Sequence, residues 1–265
     1  MNQLYKIYER KSIKNNQIGI SKKIEILKKN KETGLYEKGI FKEKMHFGSK
    51  DNVIEAVVYR IAKLVNVPCA RAVVIQHGGS IGSFSKYAVD TLDGFIHLQE
   101  YFGYSEMFVE DFFQAIKQIK CNNVKQIYAR AYQYVLLDYL VGQQDRHMEN
   151  LAFIGNRGKL IFYPLYDNGL ALYGNKSNSV YKEYISSGRF DSRMGSSEDI
   201  YRTLKNIKAT FSGVSINKII TLEFINRKVI NDIIKEEDRY NEITAERRKD
   251  MADFIIRKKE ELMQL

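Results

Sequence analysis

Asp145, Asn150 and Asp167 are the residues on which chemistry can be built. They stand in Gly142-Gln-Gln-Asp145-Arg146-His147-Met-Glu-Asn150-Leu-Ala-Phe-Ile154 and, after a turn, in Tyr166-Asp167-Asn168-Gly169. Asp145 and Asn150 are five residues apart, and Asp167 follows Asn150 by 17. Phosphoryl transfer from ATP needs few protein groups. One carboxylate orients and deprotonates the attacking hydroxyl, hard oxygen ligands hold Mg2+, and positive charge sits on the phosphates. Asp145 is read as the catalytic base, and Asn150 and Asp167 as the magnesium ligands. His147 polarises the site or holds the loop by hydrogen bonds, and Arg146 is structural. Asp-x-x-x-x-Asn alone is common by chance. The whole order of apolar helix, Gly, Asp-Arg-His-x-x-Asn, apolar strand, turn, strand and Asp-x-Gly is far less so.

The triphosphate also requires a lysine, itself held by a carboxylate. Lys42 lies in an expected strand, and Glu55 lies in the helix that follows. Glu55 falls beside Val58, Tyr59 and Ala62, where a carboxylate needs a partner. Lys42 is the expected partner, and Lys44, on the same strand face, is the rival. The turn over 12–21, with Gly19 and Ser21, is the candidate phosphate loop, and Ser12 and Ser21 are candidate autophosphorylation sites. It has no Gly-x-Gly-x-x-Gly sequence, and the absence of a Walker-type sequence argues against a P-loop NTPase.

These groups need elements to carry them. A strand is expected over 4–13, and Ile18, Ile20, Ile24 and Ile26 keep the period of two that marks a second. A third is expected over 35–44, with Ile40, Lys42 and Lys44 on one face. Ser49 or Asp51 caps a helix running to about Asn66, in which Val53, Val57, Ile61 and Leu64 recur at helical spacing. Two strands follow, over 70–76 and 81–89. From about Leu92 the pattern is mostly helical, with helices over 107–119 and 124–141. Short strands over 151–154 and 160–162 flank a turn. The polar stretch 174–197 reads as a mobile loop, and 200–265 as helices, the last amphipathic through Ile243, Met251, Phe254 and Leu262. The expected class is α+β, with an antiparallel-sheet unit carrying one helix over 1–91 and a helical unit carrying the catalytic loop over 92–265.

Composition narrows the field further. In 265 residues no stretch approaches a membrane span, and the most apolar region, 132–141, is interrupted by Asp138. The lysine-rich start has no signal-peptide core, so a cytoplasmic protein is expected, with delivery outward by a dedicated secretion machine left open. Cys69 and Cys121 have no metal-ligand spacing. Net charge is +10, and residues 1–50 hold 13 Lys/Arg against 5 Asp/Glu. That basic region suits a polyphosphate, although lysine is also this chain's default surface residue.

The motif Gly-x-x-Asp-x-His-x-x-Asn before an apolar strand, with Tyr-Asp after the hairpin, resembles the HipA-like bacterial kinases, including the compact CtkA type. The resemblance covers about residues 1–170 and loosely the helical remainder. It implies a two-lobed protein-kinase-like fold and serine/threonine protein kinase activity with ATP and Mg2+. It also implies autophosphorylation in some members, and an antitoxin partner for those that are toxins. By position it makes Asp145 the catalytic aspartate, Asn150 and Asp167 the metal ligands and Lys42 the ATP lysine. By this resemblance the chain is expected to start directly with the kinase lobe, as compact members do. Asp-Arg-His-x-x-Asn with Asp-Asn-Gly-Leu-Ala is also similar to phosphoinositide kinases. A protein acceptor is therefore the first expectation and a lipid or small-molecule acceptor the second. A non-catalytic binding module is a third, and nucleic acid is not expected as a substrate.

Overall fold

A computed structural model describes residues 23–30, 33–89, 94–156, 159–211 and 214–265. The expected strand over 4–13, the turn with Gly19 and Ser21, and Ser12 all lie outside the described residues.

The alternating pattern of the first ninety residues produces a four-stranded antiparallel sheet. Its strands are β1 (Lys23–Lys29), β2 (Tyr36–Glu43), β3 (Ala72–His77) and β4 (Ser80–Lys86), in the order β1-β2-β4-β3. Helix α1 (Asp51–Leu64) enters between β2 and β3 and packs on β3 and β4. Pleating sends alternate side chains to opposite faces. Phe41, Phe84 and Ile26 form a small buried cluster on one face, while Val74 joins the main core with α1 on the other. Lys42 shares the α1 face, because it neighbours Phe41 in the strand.

Neither expected cap forms on α1. Lys50 is the N-cap and makes no side-chain cap bond. Ser49 and Asp51 bond each other instead, and the Asp51 carboxylate accepts the Met45 N–H at 3.3 Å. The side chains that would cap the helix thus serve the turn leading into it.

The remainder is largely helical but begins with a strand the sequence reading did not anticipate. β5 (Phe95–His97) pairs antiparallel with β6 (Ala152–Asn156), which pairs with β7 (Lys159–Phe162). Two short helices, α2 (Leu98–Phe102) and α3 (Val109–Lys117), precede the 18-residue α4 (Val124–Val141). From Ala131 onward α4 is buried almost all round, and its apolar side chains form the centre of the main core.

The polar stretch 174–197 is not a plain loop. It holds a helix, α5 (Tyr181–Ile185), and a two-stranded hairpin, β8 (Asp191–Ser192) and β9 (Gly195–Ser196). Tyr181, Ile185, Phe190 and Met194 are all buried. Four apolar anchors spread among serines and glycines suffice to fold it, and no periodicity betrays them. Helices α6 (Ser197–Thr210), α7 (Ile216–Ile219), α8 (Arg227–Glu237) and α9 (Ala245–Met263) complete the chain. α9 packs on α4, α5 and α8, and α8 on α1. Among the described residues, no helix is long and apolar enough to cross a membrane.

Candidate active site

The site is assembled where α4 ends. Gly142 closes the helix in the left-handed region at φ +58°, and the Gln143 N–H bonds back to the Asp138 carbonyl at 2.9 Å. A Cβ here would also lie 2.7 Å from the Phe254 ring, so both conformation and packing demand glycine. The chain then turns through Asp145 and His147 into a 3-10 turn, Met148–Asn150, and on into β6.

Arg146 is the organiser of this turn. It is fully buried and makes five hydrogen bonds. Nε and Nη2 donate to the two Asp138 oxygens at 2.8 and 2.9 Å. Nη1 donates to the carbonyls of Asn150 (3.1 Å) and Tyr166 (2.9 Å), and Nη2 also reaches Asn168 Oδ1 at 2.6 Å. One guanidinium therefore joins the helix, the loop that bears Asp145 and Asn150, and the segment that bears Asp167. Burial raises the Asp138 carboxyl despite the opposing pull of Arg146. Asp138, the one carboxylate within the most apolar part of the chain, is thus the counter-ion of the site's scaffold.

Asn150 donates its side-chain amide to the Asp145 carbonyl at 2.9 Å. Its Oδ1 accepts no hydrogen bond from the described residues. The Asp145 backbone N–H is held by Gln143 Oε1 at 3.1 Å, and Gln143 Nε2 also reaches the Asp167 carbonyl at 3.4 Å. His147 does not hold the loop as expected. Its Nε2 is 3.8 Å from Asp145 Oδ2 and its Nδ1 is 4.0 Å from Glu149, both beyond hydrogen-bond reach. Arg146 does that work. Burial lowers the His147 pKa and the Arg193 charge adds to the effect, against the opposite pull of Asp145.

Asp167 faces the sheet. It sits at φ +55°, a conformation uncommon for a residue with a side chain and one that recurs at functional sites. Gly169, two residues on, lets this segment lie against α1, since a Cβ there would be 3.0 Å from the Asp51 side chain. Behind it, the Ala70 N–H bonds the Leu165 carbonyl at 2.7 Å and the Leu165 N–H bonds Pro68 at 3.1 Å. The segment before β3 is thereby fastened to the Asp167 segment.

Lys42 and Glu55 both arrive at this point, but not as the expected ion pair. Lys42 Nζ bonds Asp167 Oδ1. Lys23, opposite Lys42 in the β1–β2 register, bonds Asp167 Oδ2 at 2.9 Å. Glu55 instead accepts the Asn168 N–H at 2.9 Å on Oε1, and its buried Oε2 has no partner. Two lysine charges thus converge on the Asp167 carboxylate. Burial alone would raise the Asp167 carboxyl, but Lys42 and then Lys23 hold it well below the usual carboxylate range. Burial, with the Asp167 charge adding to it, pushes the Glu55 carboxyl up, and Lys42 offsets this in part. The rival Lys44 is directed elsewhere, to Glu242.

Two side chains of the candidate site escaped the sequence reading. Lys23 had a signal. It is out of phase with Ile24 and Ile26 and so lies on the sheet face opposite to theirs, which is the face of Lys42. Arg193, whose Nε lies 2.7 Å from Asp145 Oδ1, had none. Gly19 and Ser21 lie outside the described residues.

The donor set fits a nucleotide and a hard cation. Among the described residues, Asn150 Oδ1 accepts no hydrogen bond, the Asp167 carboxylate oxygens are held by the Lys42 and Lys23 ammonium groups, and the buried Glu55 Oε2 has no partner. Among the described residues no group of three or more His, Cys, Asp or Glu could hold a metal alone. Mg2+ takes one or two protein oxygens together with phosphates and water.

The sequence model of the HipA-like C-terminal domain family matches residues 17–237, and the chain belongs to that family. Among solved structures, it is similar to the proinflammatory kinase CtkA of Helicobacter pylori. The two share 14% identity over 98% of this chain and 95% of that one, with a TM-score of 0.69. A second similar structure is HipA of Shewanella oneidensis, in a toxin–antitoxin complex with HipB and operator DNA. It shares 14% identity over 97% of this chain and 66% of that one, with a TM-score of 0.49. Among proteins of curated function, none matches in sequence. The CtkA likeness bears out the α+β fold.

Proposed function

We propose that this chain is an ATP- and Mg2+-dependent phosphotransferase, acting as a serine/threonine protein kinase. One observation carries the reading. Lys42 and Lys23 meet on Asp167, with the unpaired Glu55 oxygen beside them, and Arg146 links Asp167's segment to the loop of Asp145 and Asn150. In this reading residues 1–91 form a nucleotide-binding lobe, residues 92–265 form a helical lobe, and the site lies between the two.

Asp167 and Asn150 Oδ1 would hold Mg2+, which supplies charge neutralisation on the phosphate oxygens. Lys42 would hold the phosphates, and a Lys42 drawn toward them from Asp167 would have the unpaired Glu55 oxygen as its counter-ion. Asp145 Oδ2 accepts no hydrogen bond from the described residues, so it can receive the proton of an acceptor hydroxyl. Burial lowers the His147 pKa and so disfavours an added charge on the acceptor side. The family and the kinase fold of CtkA support this reading, and so does the residue-by-residue fit of the motif.

The acceptor class is tested with labelled ATP and Mg2+, offered generic proteins, cell lysate and phosphoinositide vesicles in parallel. Label on protein is the expected result. Label confined to lipid would overturn the protein-kinase assignment and leave a lipid kinase.

A further inference from the structure

Arg193 lies in the turn of the β8–β9 hairpin, and its backbone is fastened on both sides. Its N–H bonds the Gln144 carbonyl at 3.0 Å, and the next residue's carbonyl accepts the Val109 N–H at 2.9 Å. That next residue, Met194, is buried and anchors the turn in the core. From this base the guanidinium spans two carboxylates. Nε is 2.7 Å from Asp145 Oδ1, and Nη1 donates to Glu106 Oε1 at 2.6 Å. Nη2 has no hydrogen bond among the described residues.

An exposed ion pair contributes little to stability, and Arg193 is half exposed, so folding alone does not explain this arrangement. Its position does. The guanidinium is ion-paired with one oxygen of the candidate base, Oδ1, while the other, Oδ2, accepts no hydrogen bond from the described residues. A carboxylate held at one oxygen loses rotational freedom about its last bond and presents a fixed lone pair to the acceptor. Glu106 in turn holds the guanidinium in place.

We propose that Arg193 is a positioning residue for Asp145, fixing its carboxylate so that Oδ2 meets the acceptor hydroxyl. The alternative role is a plug, a side chain that blocks the base from the acceptor. The proposal rests on the phosphotransferase reading, and its test separates the two.

The full chain is compared with Arg193→Ala, Arg193→Lys and Glu106→Gln, with Mg-ATP varied at a fixed concentration of a generic protein acceptor. Arg193→Ala should lower kcat by about 10- to 100-fold, as misplacement of a reacting group does, with the KM for ATP within about twofold. Lysine should restore part of kcat, millimolar guanidinium should restore part of it to the alanine variant, and Glu106→Gln should fall between. A kcat at or above that of the unaltered chain would overturn the proposal and make Arg193 a plug. A loss that neither lysine nor guanidinium restores would overturn it as a general structural defect. Absence of turnover in the unaltered chain would defeat the phosphotransferase reading itself. A crystal structure of Arg193→Ala then decides the geometric claim without activity. Asp145 should lose its single orientation, and an unchanged carboxylate would overturn the proposal.

Discussion

Replacing Arg146 by methionine keeps volume and removes the charge, and it should be the most damaging single change in the loop. Asp138 would be left buried with its charge uncompensated, and removing one partner of a buried pair costs about 3–5 kcal/mol. The carbonyls of Asn150 and Tyr166 and the Asn168 Oδ1 lose their donor as well. Each such orphan costs on the order of 1–3 kcal/mol where water cannot replace the donor. Taking the pair at about 3 kcal/mol and counting only one of the three orphans at about 1 kcal/mol, a lower bound of about 4 kcal/mol follows, a large part of the roughly 5–15 kcal/mol that holds a domain together. At about 2–4 °C per kcal/mol for a chain of this size, Tm falls by roughly 8–16 °C. Calorimetry and urea unfolding of Arg146→Met, Asp138→Leu and the double variant measure this directly. The double variant should recover about 2 kcal/mol or more over Arg146→Met, because an apolar pair leaves no buried charge. A loss below about 1 kcal/mol in Arg146→Met, or a double variant as unstable as the sum of the singles, would refute the hub.

Glu55→Gln retains an acceptor for the Asn168 N–H and removes a buried charge whose second oxygen is unpaired. Its Tm should hold or rise while phosphotransfer falls about 100-fold, in the range seen when one electrostatic partner is lost from a site. Full turnover with a lower Tm would contradict this. Acid stability should report Asp167. Its folded pKa lies below its unfolded value, so its contribution is present above about pH 4 and is lost as pH falls further. Lys42 is shifted upward, so its contribution is complete below about pH 10.4 and is lost at more alkaline pH. Urea midpoints across pH 2–7 should therefore decline below about pH 4, and less steeply in Asp167→Asn. Equal slopes in both proteins would exclude the pairing.

The segment 142–169 was legible because its spacing is local. A helix end, a five-residue loop and a hairpin leave Asp145, Asn150 and Asp167 little freedom in relative position. The sheet and α1 followed from periods of two and 3.6, and Lys42 was placed on the correct face by the same alternation. Partner choice was not legible. Whether Lys42 meets Glu55 or Asp167 depends on how the Asp167 segment docks against α1, a contact over a hundred residues long in sequence. Lys23 needed the β1–β2 register, which one strand's pattern does not fix. β5 is three residues long and is defined by its partner β6. The hairpin around Arg193 is held by four scattered apolar anchors in a polar stretch, so composition pointed to a loop where packing makes a support.

The most direct test is phosphotransfer and nucleotide binding measured side by side in the unaltered chain and in Asp145→Asn, with labelled ATP, Mg2+ and a cell lysate. The unaltered chain should label itself or a lysate protein. Asp145→Asn should bind Mg-ATP with similar affinity, because the nucleotide and cation groups are elsewhere, and should transfer no label. Transfer by Asp145→Asn at a rate near that of the unaltered chain would contradict the account, as would failure of the unaltered chain to bind Mg-ATP.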